Sequence, residues 1–282
     1  MLFARHIFPL LLSSLLLAPM AAPAALAESA AMQLGTAAVD LPDSTAQTVR
    51  LELDQARFSE HSVGKLILSL KDVDFRQGQL SSLGAELHDG QFDQVVVDAM
   101  NIDTDAFSFD TFELLNHRRF VLDQPITGRV SLSLSEDSLN RFITNPRTLK
   151  KLEDAIKKQT GGIKLVTFSN PSIRLYKDKY VQLAMNTVVA GGVVVPMQMQ
   201  GKLGLKSGNL QIQNLELTSE KNQLNLPVDV VNLLEDKLND LINLEKLGKK
   251  DFIIHADSMS IKKGVIALNG SAKFTRLSFG KD

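Results

Sequence analysis

An unusually long alternation of apolar and polar residues runs from Gly191 to Leu205. Every second residue from Val193 is apolar or glycine: Val193, Val195, Met197, Met199, Gly201, Leu203 and Leu205. A period of two is typical of a β-strand with one buried face. About thirteen residues at about 3.3 Å each span roughly 43 Å, about twice an ordinary strand. Because Gly201 places no side chain on the apolar face, the pattern predicts a long, curved sheet that another backbone can approach closely.

An amphipathic helix is predicted from Val228 to Leu247. Pro227 suits the first helical position and Gly248 suits the end of the helix. The apolar residues recur every three or four positions: Val231, Leu234, Leu238, Leu241 and Leu244. The opposite side carries Glu235, Asp236, Lys237, Asn239, Asp240 and Asn243. Since such an apolar stripe is a liability in water, we expect it to lie on the sheet, on a partner or on lipid.

Shorter alternating segments surround these two elements and predict a mostly antiparallel sheet. Ile126 to Leu134 alternates strictly, and the strands from Tyr180 to Val189, from Gly191 and from Leu210 follow one another through short turns. Consecutive strands joined by tight turns form an antiparallel meander. The segment from His88 to Gly90 lies between apolar runs, which predicts a hairpin turn. Strands outnumber helices and do not alternate with them, so the predicted fold class is α+β.

Two further helical segments are indicated in the middle of the chain. Ser135 to Asp137 suits a helix start, because a hydroxyl can cap a free N–H group and acidic residues favour the helix dipole. Asn145-Pro146 interrupts this helix and restarts it, and Gly161 ends the second piece. The segment from Asn101 to Arg119 is compatible with a short helix from Asp110 to Asn116 or with an irregular strand, and the pattern leaves both open.

The beginning of the chain has the order of a secretory signal. Arg5 precedes an apolar run from Ile7 to Met20, and small residues follow as far as Ala27. This order predicts a signal peptide over residues 1–27 and export; an uncleaved anchor is disfavoured because it needs about 20 apolar residues. Residues 28–48 suit a flexible leader or a poorly ordered first edge, so a single domain is expected over residues 49–282. The mature chain is therefore expected to be exported and soluble.

Composition disfavours several functional classes. A net charge of -1 is not typical of a protein that binds nucleic acid. The absence of Cys excludes disulfides and a lipoprotein anchor. The histidines beyond the signal have no spacing typical of metal ligands: His61, His88, His117 and His255. The acidic run from Asp103 to Asp110 lacks the Gly and Glu of a calcium loop. No nucleophile elbow or phosphate loop appears. We therefore expect no metal and no cofactor, and a hydrolase that uses Asp103 or His117 ranks last.

Four blocks of the chain carry a family resemblance. They are ITGRVSLSLSEDSLNRFI (Ile126 to Ile143), LVTFSNPSIRL, VVVPMQMQGKLGLKSGNLQIQNLELTS and LNLPVDVVNLLEDKLNDLINLEKL. Together they resemble the LmeA-like phospholipid-binding proteins, over about Val63 to Leu277. The resemblance implies an envelope protein that binds phospholipid, with a fold similar to the tubular lipid-binding (TULIP) superfamily, in which a long twisted sheet wraps helices around an apolar groove. It supplies no ligand residues that can be carried over by position.

Pattern and resemblance together predict a TULIP-like half-barrel, in which a long curved, mostly antiparallel sheet wraps two or three amphipathic helices. The predicted lipid-binding residues lie on the long strand and on the Val228 helix: Val193, Val195, Met197, Met199, Leu203, Leu234, Leu238 and Leu241. The methionines are flexible and polarizable and adapt to irregular apolar partners. The hypothesis is an exported protein that binds phospholipid or another acyl-chain lipid and makes transient contact with a membrane surface. Its candidate role is lipid carriage in the envelope.

The alternative is a non-enzymatic scaffold of the envelope, in which the same faces form a dry core or a protein interface. Alternating strands and helix faces usually do form a core. The length of the strand and its methionines favour the lipid hypothesis. Pairs of lysines, such as Lys157-Lys158 and Lys249-Lys250, suit contact with anionic headgroups, although such pairs are more often simply solvated.

Overall fold

A computed structural model describes residues 31–40, 45–58, 61–92, 95–117, 121–159, 166–189, 192–217, 228–244 and 252–275. The predicted signal over residues 1–27 lies outside this part of the chain. The described strands are β1 (Ala31–Asp40), β2 (Thr45–Phe58), β3 (His61–Asp74), β4 (Gln79–Leu80), β5 (Ser82–Phe92), β6 (Val95–Thr104), β7 (Phe107–Ser108), β8 (Ile126–Ser135), β9 (Val166–Leu175), β10 (Tyr180–Val189), β11 (Val194–Lys206), β12 (Asn209–Leu217), β13 (Phe252–Lys262) and β14 (Val265–Phe274). The described helices are α1 (Thr111–His117), α2 (Glu136–Ile143), α3 (Pro146–Gln159) and α4 (Val228–Leu241).

The larger sheet is antiparallel and curved, with the order β1-β2-β3-β5-β6-β8-β14-β13 and the short strands β4 and β7 paired at its margin. Its buried face follows the alternation in the sequence; in β8 the buried positions are Ile126, Gly128, Val130, Leu132 and Leu134. Leu68, Leu70 and Leu83, in β3 and β5, have no surface accessible to water. The predicted α+β class and the open half-barrel of mostly antiparallel strands are confirmed.

The smaller sheet is the predicted meander, with the order β12-β11-β10-β9. β11 has 13 residues and contains the predicted long strand almost entirely. Its register with β12 shifts between Gln200 and Lys202. Gly201 lies at this shift, where an added Cβ would come within 2.7 Å of the Cγ2 atom of Ile212. The close approach expected at Gly201 is therefore present, and it is made by the neighbouring strand.

The helices begin where capping groups are available. The Ser135 side chain accepts a hydrogen bond from the Ser138 N–H group (3.1 Å) and caps α2. Asn145 Oδ1 accepts from the Arg147 N–H group (2.9 Å), and Pro146 is the first residue of α3. The predicted interruption and restart of the helix at Asn145-Pro146 therefore match the structure.

Among the described residues, two contacts that join the sheets stand out. α2 packs on β6 and β8 of the larger sheet and on β9 of the smaller one. At the β11–β12 turn, the Ala256 N–H group of β13 donates to the Gly208 carbonyl oxygen (2.9 Å). Gly208 has a φ of +76°, and a Cβ there would overlap the ring of His255. Glycine is the residue that satisfies both the backbone conformation and the space.

Some elements differ from the prediction. The hairpin turn expected from His88 to Gly90 is wrong, because β5 continues through it and Asp89 takes a φ of +51° within a strand paired on both sides. α4 ends at Leu241 rather than Leu247, since Ile242 makes the last helical bond, to the Leu238 carbonyl (3.1 Å), and the chain then leaves the helix.

The structure also describes the segment from Asn101 to His117, which the pattern left open, and part of the predicted leader. Between Asn101 and Arg119 the chain completes β6, forms β7 and then forms the short helix α1. β1 and β2 begin at Ala31 and Thr45, within the segment 28–48, where the sequence also allowed a first sheet edge. The limits of the domain stay a prediction.

Candidate functional site

The predicted lipid-binding residues occupy the enclosed face of the smaller sheet and the adjacent side of α4. Five of them are buried in one continuous apolar cluster: Met197, Met199, Leu203, Leu234 and Leu238. Val195 is half-buried and Val193 is exposed, so the apolar face stops before the end of the β10–β11 hairpin. Leu241 is the last residue of α4, and its side chain lies outside the described residues.

Methionines are concentrated at the centre of this sheet. Met185 pairs with Met197, and Met199 pairs with Leu183, so these side chains share one face. We call Met185, Met197 and Met199 the methionine face. Thr187, which is also buried, donates from Oγ1 to the Met197 sulfur at 3.9 Å. Unbranched thioether side chains repack more easily than Leu or Val, so this face can adapt to an irregular apolar guest.

Helices enclose the methionine face from both edges of the sheet. α2 and α3 pack on the edge strand β9, and α4 packs on the other edge strand, β12. α2 contacts α3, and α3 contacts α4. On α3 the buried side includes Leu152 and Ile156, which belong to the same cluster as Leu234. The smaller sheet and its three helices therefore surround one apolar interior.

Polar side chains of α4 bind the free edge of β12. Asn239 Oδ1 accepts from the Ile212 N–H group (2.7 Å), and its Nδ2 donates to the Ile212 carbonyl (2.8 Å). Glu235 Oε2 accepts from the Leu215 N–H group (2.7 Å). We call Glu235 and Asn239 the α4 edge pair. Because an edge strand leaves N–H and C=O groups unpaired, these bonds both satisfy the strand and fix the helix.

The same arrangement occurs on the opposite edge. Asn140 Oδ1 accepts from the Ile173 N–H group (2.7 Å) and its Nδ2 donates to the Ile173 carbonyl (3.0 Å). Glu136 Oε2 accepts from the Leu175 N–H group (2.9 Å). We call Glu136 and Asn140 the α2 edge pair. In both helices the Glu and Asn are four positions apart, which places them on one side of the helix.

The sequence reasoning missed both edge pairs and placed Glu235 and Asn239 on a solvent-facing side. A signal was present: both helices contain Glu-Asp-x-Leu-Asn, at Glu136–Asn140 and at Glu235–Asn239. In each copy the Leu is buried, while the Asn beside it bonds to the edge strand. A short motif shared by two helices of one chain therefore marks equivalent positions beside the sheet.

A separate polar cleft of about 420 Å³ lies on the larger sheet, lined by Asn101, Asp103, Arg129, Val130, Ser131, Asp257, Ser258, Asn269 and Gly270. Asp103, one of the two hydrolase candidates, lines it. His117 ends α1, and its side chain is not described. Among the described residues, no group of three His, Cys, Asp or Glu side chains is arranged to hold a metal ion.

Fold and site define an α+β half-barrel with a helix-enclosed apolar face. The sequence model of the LmeA-like phospholipid-binding family matches residues 68–271, and the chain belongs to this family, as the resemblance implied. No curated protein and no solved structure matches the chain. Within the described ranges, no helix combines the length and the apolar character needed to cross a bilayer.

Proposed function

We propose that this protein is an exported, non-enzymatic phospholipid carrier of the cell envelope. Acyl chains lie between the apolar face of β11 and the apolar side of α4, in contact with Met197, Met199 and Leu238. The observation that carries the proposal is the methionine face closed by α4, in a chain of a phospholipid-binding family. Binding depends mainly on the length of the acyl chains, with little headgroup chemistry.

Uptake of a lipid requires α4 to move. Met199 is 0% exposed and Leu234 is 1% exposed, so protein atoms cover both side chains. Moving α4 away from β12 breaks the three bonds of the α4 edge pair, which contribute about 0.5–1.5 kcal/mol each. Burial of about six methylenes at about 0.8 kcal/mol each offsets that loss. An acyl chain is longer than this, so the exchange is favourable relative to the same lipid in water; a lipid that comes from a bilayer is already out of water and gains little from this burial.

The same burial favours the second candidate, a scaffold with a dry core. In that case α4 stays on β12 and the cluster that contains Met199 admits no guest. Replacing Met197 or Met199 with Asp does not separate the two candidates, because a charge at either buried position is destabilising in both. A test that leaves the interior unchanged is therefore needed.

The first experiment is extraction of the purified mature chain followed by lipid mass spectrometry. A co-purifying phospholipid, and uptake of a fluorescent phospholipid by the extracted protein, are the expected results. A protein that carries no lipid and takes up none contradicts the proposal.

The second experiment locates the ligand with a phospholipid that carries a photoreactive diazirine near the end of an acyl chain. Covalent adducts are expected in the peptides that contain Met197 to Leu203 and Leu234 to Leu238. The control is the same lipid with the diazirine on its headgroup, which should label these peptides little. Equal labelling by both probes, or adducts confined to other peptides, would rule out the assigned site.

A further inference from the structure

The β10–β11 hairpin ends in two exposed valines. Val193 is 58% exposed and Val194 is 57% exposed, and we call these two residues the hairpin tip. Gly192, next to them, has a φ of +79°, and an added Cβ there would meet no atom within 4 Å. The tip therefore stands clear of the rest of the described structure. Two consecutive exposed apolar side chains form a small apolar patch at the end of the hairpin.

The hairpin reaches the same end of the smaller sheet as β9. β10 pairs with β11 as far as Val194, and β9 pairs with β10 as far as Val189. The described pairs between β12 and β11 begin at Met199. The hairpin tip therefore lies at one end of the smaller sheet.

The part of the β10–β11 hairpin around its tip contains no charged residue. No Asp, Glu, Lys or Arg occurs from Tyr180 to Gly201, although 22% of the residues in the chain are charged. Lys179 and Lys202 bound this stretch on either side. Placing a charge in lipid is costly, so a hairpin end without charges enters the interfacial region more easily than a charged one.

The tip lies at the end of the sheet where exposed lysines and the start of α4 are also found. Glu153 of α3 accepts from the Phe168 N–H group (3.0 Å), and Phe168 pairs with Thr187 in β10. α3 therefore runs toward the tip and places Lys157 and Lys158, both exposed, at this end. Their positive charge complements the anionic headgroups of a bilayer.

We infer that the hairpin tip docks this protein on the surface of a phospholipid bilayer. Val193 and Val194 enter the interface between headgroups and acyl chains, and Lys157 and Lys158 contact the headgroups. α4 runs antiparallel to β12, since Glu235 bonds Leu215 and Asn239 bonds Ile212, so its first turn faces the docked end. Only this last link, between docking and lipid uptake, rests on the proposed function.

The test measures flotation of the mature chain with vesicles made of equal parts phosphatidylglycerol and phosphatidylcholine. Replacing both valines, Val193→Ser with Val194→Ser, is expected to weaken vesicle binding by about tenfold or more, because two apolar side chains no longer leave water. Ile253→Ser is the matched control. Ile253 is 40% exposed on β13, away from the tip, and its replacement should leave flotation unchanged.

A second measurement uses the absence of Trp from the chain. Val194→Trp should show a shift of its fluorescence to shorter wavelength when vesicles are added, and Ile253→Trp should not. Flotation of the double Ser variant at the wild-type level, or a Val194→Trp spectrum that vesicles leave unchanged, overturns the inference. A change in the sedimentation coefficient of the double Ser variant without a change in flotation also overturns it, since the tip then contacts a second copy of the chain.

Uptake of a short-chain phospholipid dispersed below its micelle concentration separates docking from carriage. If the chain docks through its tip but takes up no lipid, the docking inference is supported and the proposed function is contradicted. If the chain takes up lipid while both tip variants behave like the wild type, the proposed function is supported and the docking inference is contradicted.

Discussion

Helices α2 and α4 bind opposite edges of the smaller sheet through the same side chains, yet they are held to the rest of the molecule differently. Each uses a Glu and an Asn four positions apart to bond an edge strand. α2 also bonds to the larger sheet. Asp98 of β6 accepts from the Ser135 N–H group (2.5 Å), from Ser135 Oγ (2.8 Å) and from Ser138 Oγ (2.7 Å). The Glu136 N–H group donates to the Gly264 carbonyl (2.8 Å).

Three hydrogen bonds from α4 reach β12. The same pair of Glu and Asn side chains therefore has a different role in each helix. In α2 it is part of the connection between the two sheets, so loss of α2 removes one of the described contacts that join them. In α4 it holds a single helix against a single strand. Displacement of α4 would keep the described hydrogen bonds between the two sheets, as the proposed lipid uptake requires.

The largest effect is expected from Asp98→Ala, which removes the acceptor at the start of α2. Three donors then lose their partner, and the free energy of unfolding should fall by about 2–4 kcal/mol, measured by urea denaturation. Asp103→Ala is the control, because Asp103 is an exposed carboxylate on the same strand. It should change stability by about 0.5 kcal/mol or less. Equal losses in the two variants would show that α2 is not anchored through Asp98.

The next effect compares Asn239→Ala with Asn140→Ala. Both replacements remove two hydrogen bonds to an edge strand, and Asn140→Ala also removes the bond from Nδ2 to the Glu136 carbonyl (2.9 Å). Each replacement should cost about 1–2 kcal/mol of global or local stability. Only Asn239→Ala should accelerate release of a bound fluorescent phospholipid to acceptor vesicles, by about tenfold. Hydrogen exchange followed by mass spectrometry should likewise show faster exchange in α4 for Asn239→Ala. If Asn140→Ala accelerates release as much, α4 is not the helix that moves.

A smaller effect is expected from Glu235→Gln and Glu136→Gln. Gln keeps an oxygen that can accept from the edge N–H group but loses the charge, so each change should cost about 0.5–1 kcal/mol. Lipid release should rise by a few fold for Glu235→Gln and stay constant for Glu136→Gln. The same vesicle assay measures the rate of lipid release. A larger increase for Glu136→Gln than for Glu235→Gln would indicate that α2, and not α4, controls release.

The smallest effect concerns an ion pair remote from both helices. On β2 and β3, Glu52 and Lys65 form a salt bridge that lowers the pKa of Glu52 and raises the pKa of Lys65, mainly through their mutual hydrogen bond. Because the pKa of Glu52 is lowered, its ionised form stabilises the fold at pH values above the ordinary carboxyl pKa. This stabilisation is lost as the pH falls through the lowered pKa. Because the pKa of Lys65 is raised, its protonated form stabilises the fold at pH values below the ordinary lysine pKa. This stabilisation is lost as the pH rises through the raised pKa.

Glu52→Gln should therefore lower Tm slightly near neutral pH, and the difference from the wild type should vanish in acid as Glu52 is protonated. Both side chains are exposed to solvent, so salt should weaken the effect. Lipid release should not change. A Tm difference that persists at acid pH would assign the effect to packing instead of charge.

The sequence could predict elements whose signal is local. The alternation around Met197 and Met199 is a property of β11 itself, and the start of α2 at Ser135 is a capping pattern within four residues. The family resemblance then added the class of ligand. These features require no knowledge of which strands pair, so they could be recognised in the chain alone.

The missed features depend on partners that are far away in the chain. Asn239 looks like an ordinary polar residue until Ile212 is known to be on a free edge beside it. Asp89 looks like part of a turn, and pairing on both sides keeps it inside β5. Likewise, nothing local distinguishes Val193 from Val195, yet only Val195 lies where the enclosed face continues.

For a chain docked by its hairpin tip, as inferred above, the length of β11 sets the spacing between the bilayer and the larger sheet. This strand starts at the hairpin tip and ends at the turn that rests on β13, and its 13 residues span at most about 43 Å. A headgroup layer is only about 5–8 Å thick. A molecule standing upright on its tip would hold the polar cleft between Asp103 and Asp257 well out in the aqueous compartment. Soluble proteins could then reach that side of the molecule without touching lipid.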